Sequence, residues 1–234
     1  MNNDGVVDGN LGVNAPMAGR LRFGKRAFMT DNTTAAAQEI RLGDGSSAYD
    51  IAAVTLFRTP TAVVRGAFDL VSLPLRQPFC TLPEFTCTIG NDVQVADYNT
   101  LVLPPGSYGA LVVGNGATLT LDPNAVYDFC SVRIGRGALV ESSGRTTIQV
   151  VGDISVGAGT KLWTPPTVND LPLILNVGGV RVRLSQNSIV EAAITAPNAK
   201  LKIQRGGQLY GCFCTDWLTT DKEVLLECVD TTGP

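Results

Sequence analysis

A chain of 234 residues, 44% hydrophobic but only 6% aromatic, has apolar mass for one large or two small domains with a core of aliphatic side chains rather than rings. A formal charge of -3 with no basic stripe excludes nucleic acid as the expected partner. The absence of histidine removes Ser-His-Asp and Cys-His nucleophile chemistry and every His-based zinc site.

The 25 glycines and 13 prolines interrupt the chain too often for long helices. Six cysteines in such a chain fit disulfides in an oxidising compartment, and their spacing lacks the clustered pairs of a Cys-only zinc site. No run of about 18 apolar residues is present to cross a membrane. Met1 is followed by Asn-Asn-Asp-Gly rather than a signal peptide, so the expectation is a segment cut from a longer secreted or surface-anchored protein.

In chain order, residues 1–10 are polar and read as a frayed N-terminus. Asn3 to Asp8 has the look of a calcium loop, but Leu11 stands where the last acidic ligand is required. Residues 11–70 carry a weak repeat of a bend followed by alternating apolar residues, starting at Phe23, Leu42 and Phe57. From 71 to 107 the pattern is expected to stop, because Pro74, Pro78, Pro83, Pro104 and Pro105 cannot donate to a parallel ladder. Cys80 and Cys87, inside this segment, are expected to close a small disulfide loop.

Residues 108–230 carry the clearest repeat, and residues 231–234 form a tail. Val113 to Leu121 reads V-G-N-G-A-T-L-T-L, and the frame returns at Ile134, Val156, Leu184, Ile203 and Leu218. The long gap before Leu184 holds Trp163 to Asp170, read as a loop ejected from one rung. Four residues after each start the side chains are small (Ala117, Ala138, Thr160, Ser188), with Lys222 breaking the column as if to close the stack. Six residues after each start they are apolar (Met29, Ala48, Val63, Leu119, Val140, Leu162, Val190, Leu209, Val224). Alternate residues of a strand share a face, so both columns point inward.

A rung of about 19–22 residues cannot cover its apolar face alone, whereas a stack of rungs buries a continuous core. The expected fold is therefore all-β, a right-handed parallel β-helix, or solenoid, with a proline-rich, disulfide-closed interruption. A β-sandwich is the rival for such strand spacing, but it has no reason to repeat inward side chains at this period.

Leu103-Pro104-Pro105-Gly106-Ser107-Tyr108, the Gly-Asn-Gly-Ala-Thr-Leu-Thr-Leu that follows, and Val151 to Val156 resemble a bacterial β-solenoid domain of unknown function. That domain occurs in secreted and cell-surface proteins, some associated with pilus assembly, and shares the Ala196-Pro197-Asn198-Ala199 element. The chain is more distantly similar to ice-binding-like adhesin solenoids. The resemblance implies a structural or adhesive role at the cell surface and brings no catalytic residue or cofactor.

The outward positions bear on function. Thr118 is followed in its column by Leu139, Lys161, Ile189 and Gln208, and Thr120 by Glu141, Trp163, Glu191 and Tyr210. Neither is the threonine ladder that ice recognition wants. Glu141 and Glu191 flank Trp163 with two strand spacings between them, about 9.6 Å, near the wide limit for an inverting glycosidase pair. They are the best candidates for glycan contact. Asp153, at a bend, reads as structural. Cys212 and Cys228 lie nine and ten residues past successive starts, within disulfide reach, which leaves Cys130 and Cys214 at equivalent corners with their pairing open. The expectation is a non-enzymatic module without cofactor or metal, self-associating through its ends or touching polysaccharide or cell-surface components.

Overall fold

A computed structural model describes residues 6–8, 11–12, 20–70, 80–164 and 173–227. The described residues contain 26 strands and no helix, hence no helix long and apolar enough to cross a membrane. The strands pair in parallel and wind into a solenoid of about ten turns. Each complete turn has three faces. One turn runs through Ser131–Ile134 on the first face, Leu139–Ser142 on the second and Thr147–Val150 on the third. Each strand stacks on its counterpart in the next turn, as in Leu139↔Lys161 and Val140↔Leu162.

Glycine acts twice at the corner between the first two faces. At Gly135 and Gly157 a Cβ would meet the backbone of the turn below, so backbone rests on backbone. Two residues on, Gly116, Gly137 and Gly159 have φ of 61°, 63° and 67°, a region that side chains resist. The small column then enters the core. Ala117 and Ala138 are buried, and so are Thr160 and Ser188, whose hydroxyls bond bend carbonyls of Gly135 (2.6 Å) and Ser185 (2.8 Å). Carboxylates hold the next turn in register. Asp92 accepts from Ala110 N and Asp97 from Asn115 N, each at 2.7 Å.

Several sequence expectations need correction. The ladder resumes within the segment expected to interrupt it, at Val93. Val93–Val95, Thr100–Leu103 and Gly106–Ser107 form a turn paired to Leu111–Val113, Thr118–Leu121 and Tyr127–Asp128. Pro104 and Pro105 fall at its corner rather than in a strand, and Tyr98, at φ 61°, occupies the position that glycine takes elsewhere. The Phe57 frame is one residue early, since Arg58 aligns with Leu42, leaving Val63 51% exposed and Val64 inward. The Leu218 frame is two residues early. Val224 and Leu226 are the inward residues of that turn, and Lys222 lies at the exposed bend.

The larger difference is the order of stacking. Val6–Asp8, in the stretch read as a frayed terminus, is a strand inserted between Leu225–Glu227 and Phe28–Met29. Arg20 pairs with Trp217. The N-terminal turns therefore continue the stack beyond the C-terminal ones, and Val6–Asp8 lies at a seam inside the rod. The chain runs to one end at residues 63–70 and re-enters at the other end at Val93.

Disulfides pin that return. Cys80 bonds Cys214 (Cα–Cα 6.2 Å) and Cys87 bonds Cys130 (5.1 Å), which replaces the expected Cys80–Cys87 loop. The ladder from Asp128 through Gln149, Asn176 and Thr195 to Cys214 takes four steps, about 19 Å of stack. Seven residues from Cys80 to Cys87 reach about 23 Å when extended, so the segment is a strap drawn along the axis. Its two cysteines are held too far apart to meet, because a bridge needs Cα atoms within about 7 Å. Leu82 and Phe85 are half-buried, while Thr81, Pro83, Glu84 and Thr86 are exposed. Cys212 is also disulfide-bonded. Cys228, residues 231–234 and the ejected loop from 165 to 172 lie outside the described residues.

Leu162 is 2% exposed at the centre of the inward column. Leu162→Ala is expected to lower unfolding free energy in urea by about 2–5 kcal/mol. Val112→Thr, at an exposed outward position, is expected to change it by no more than about 0.5 kcal/mol.

Candidate functional site

The second face carries the most distinctive outward chemistry. Its column runs Val102, Thr120, Glu141, Trp163 through directly paired positions, and Leu162↔Val190 sets Glu191 next. Tyr210, Glu227 and Asp8 follow. Carboxylates and aromatic rings thus alternate over Glu141, Trp163, Glu191, Tyr210 and Glu227. The pleat forces this arrangement, because the residues between them point inward as Val140, Leu162, Val190 and Leu209, all at most 2% exposed. Glu227 stacks directly on Tyr210, whereas Asp8 joins the column only because the N-terminal strand docks on the C-terminal one. Nothing in the local sequence of Asp8 announces that neighbourhood.

The side chains are already engaged with one another. The Lys161 ammonium lies 5.3 Å from the Trp163 ring centroid, occupying part of the surface that a sugar would stack on. Thr120 donates to Glu141 at 3.4 Å, and the Tyr210 hydroxyl bonds Gln208 at 3.0 Å. Burial raises the Glu191 carboxyl above its ordinary value, against the opposing pull of a Thr164 backbone hydrogen bond and the Lys161 charge. The Trp163 Nε1–H is buried without a partner among the described residues.

No family model matches this chain, and comparison with curated proteins and with solved structures gives no match. The chemistry of the column therefore stands on its own geometry. Glu141 and Glu191 occupy one column, with Trp163 between them, at a backbone separation of about two strand spacings, or 9.6 Å. That stands at the wide limit of the range of about 6.5–9.5 Å in which two carboxyls flank a sugar and an attacking water. No group of three or more His, Cys, Asp or Glu side chains that could hold a metal occurs among the described residues.

Threonines occupy Thr100, Thr118 and Thr120 in the first turns of this face, after which Leu139, Lys161 and Ile189 replace them. Asp153 has a structural role. It accepts from Val180 N, Arg181 N and Arg181 Nε at 2.9–3.0 Å. Burial pushes its carboxyl up, but these donors together outweigh burial and leave it below the ordinary value.

Because the folded-state value of Glu191 is raised, the folded chain binds more protons than the unfolded one just above the ordinary glutamate range. Stability therefore falls as pH rises through that window. Glu191→Gln is expected to flatten this slope, with the melting-temperature difference between variant and parent growing in the variant's favour from about pH 4 to pH 7. Thermal melts across that range measure it.

Proposed function

We propose that this chain is a structural and adhesive β-helix module of an extracellular or cell-surface protein, able to stack end to end on copies of itself. The observation carrying this reading is that both ends of the solenoid are apolar. The inward columns, buried along the rod, finish at Leu56 and Val64 at one end and at Val93 and Leu101 at the other, all only partly buried. The first of these ends opens a cavity of about 430 Å³ lined by Leu56, Arg58, Val64, Gly66 and Phe68. Among the described residues, Val63–Val64 and Thr100–Leu103 each pair on one side only.

The two ends are complementary in spacing. Leu56 precedes Val64 by eight residues, as Val93 precedes Leu101. Continuing the ladder would set Leu56 beside Val93 and Val64 beside Leu101 of the next copy. Such a contact joins unlike surfaces and does not close, so its product is a filament. The disulfides support an oxidising compartment, and the resemblance carried by Leu103 to Tyr108 and Ala196 to Ala199 points to secreted and surface proteins, some pilus-associated.

A second reading, a glycan-binding face, is supported by the alternation of Glu141, Trp163, Glu191 and Tyr210. A glycan array run with the parent and with Trp163→Ala tests it. Signal lost in the variant supports the reading, and a blank array for the parent removes it.

For end-to-end stacking, sedimentation velocity is expected to show a concentration-dependent series of species, seen as linear rods by electron microscopy. Val64→Lys buries a charge in the seam and is expected to leave only monomers. A parent that stays monomeric at every concentration overturns the proposal.

A further inference from the structure

The sequence displays no basic stripe, yet winding makes one. Nine of the chain's 18 lysines and arginines stand on strands of the first face. Among the described residues, the strands of the second face hold Lys161 alone and those of the third face hold none. The cations escape notice in the sequence because an inward residue separates each from the next on its strand, and the pairs recur only once a turn.

The charges are densest where Arg181–Leu184 lies on Lys200–Ile203. There Arg181 stands directly beside Lys200 and Arg183 beside Lys202. Trp217 and Thr219 follow in the next turn, and Trp217↔Arg20 sets Arg22 beside Thr219, with Arg41 beyond it. Neighbouring turns are about 4.8 Å apart, and alternate residues of a strand about 6.7 Å. Arg22, Arg41, Arg181, Arg183 and Lys200 are exposed and Lys202 is half-buried, so the cations line the rod over four steps, about 19 Å.

Like charges set directly opposite weaken a ladder. This face nevertheless carries three such pairs, Arg181↔Lys200, Arg183↔Lys202 and Arg22↔Arg41. Asp153 engages Arg181 at 2.9 Å and Glu39 engages Arg41 at 2.7 Å. Asp216 and Asp221 stand at the corners flanking Trp217–Thr220. Among the described residues Arg22, Arg183, Lys200 and Lys202 have no ion-pair partner. An anionic ligand along the rows would relieve their mutual repulsion.

We propose that the first face binds a linear acidic polysaccharide lying along the rod, its anionic groups seated among these cations. The guanidinium fork of Arg183 suits such groups, because it donates two parallel hydrogen bonds to one carboxylate. Other polyanions fit less well. A flat sheet offers nothing to enter the groove of a duplex. Single-stranded nucleic acid wants open rings for successive bases, whereas the exposed Trp217 and Phe57 rings lie beneath Lys200 (4.9 Å) and Arg41 (5.1 Å). A lipid surface wants apolar side chains among the cations, and Ser155 and Thr219 stand there instead. The site is separate from the acid–aromatic column, whose carboxylates would repel an acidic polymer, and it does not depend on stacking at the rod ends.

Binding of the full chain to immobilised polygalacturonate and heparin is measured by biolayer interferometry, against neutral dextran, single-stranded DNA and phosphatidylglycerol vesicles. The parent is expected to bind at least one acidic polysaccharide but not dextran, with affinity falling as salt rises. Arg183→Gln with Lys202→Gln is expected to weaken binding by at least about tenfold. That variant removes a like-charge pair, so its melting temperature is expected to be no lower than the parent's, which separates lost contact from unfolding. Trp163→Ala and Lys161→Gln, on the second face, are expected to leave binding unchanged. Failure of the parent to bind either acidic polysaccharide, undiminished binding by the double variant, or tighter binding to DNA or vesicles than to both polysaccharides overturns the proposal.

Discussion

The architecture depends on one constraint, that each turn must come back directly above itself at the spacing of a parallel ladder. That spacing leaves room for a backbone and no more where the chain turns sharply. The corner of Gly114, Gly135 and Gly157 meets the constraint by giving up side chains, so that peptide planes rest on peptide planes. The following residue pairs then fall into fixed inward and outward columns. The narrow aliphatic core, the buried Thr160 and Ser188 hydroxyls and the outward acid–aromatic column are all consequences of that register.

What the sequence disclosed follows from the same constraint. Where the corner uses glycine, as at Gly114 and Gly116, the turn is legible and its two inward columns can be read off directly. Where another residue takes the left-handed conformation the signal weakens, as at Arg26 and Asn187, and at two turns it is lost. Tyr98 hides the turn of Val93 to Leu103, and Glu223, with φ 58°, hides the frame of the last turn, whose small column holds the larger Val224. Order along the rod was not legible at all. A parallel ladder is specified by local apolar pattern, and Leu226 accepts Val7 as readily as it would accept the next residue of its own rung.

The cysteines teach a related lesson. Cys80 and Cys87 are neighbours in sequence, and proximity suggested a local loop. The structure instead lays the intervening residues along the axis, so each cysteine meets a partner from a different turn. Likewise Glu141, Trp163, Glu191 and Tyr210 could be aligned from spacing alone, whereas Lys161 lying over the indole and the burial of Glu191 required side chains in place.

The seam also sets how the molecule would bear load. Residue 6 and residue 227 sit at opposite ends of two short parallel strands lying side by side, at right angles to the axis. A pull between them would not draw the rod out from its tips. It would act across its waist and load all three ladder pairs together in shear, instead of peeling them one after another. The tips, meanwhile, would carry none of that tension.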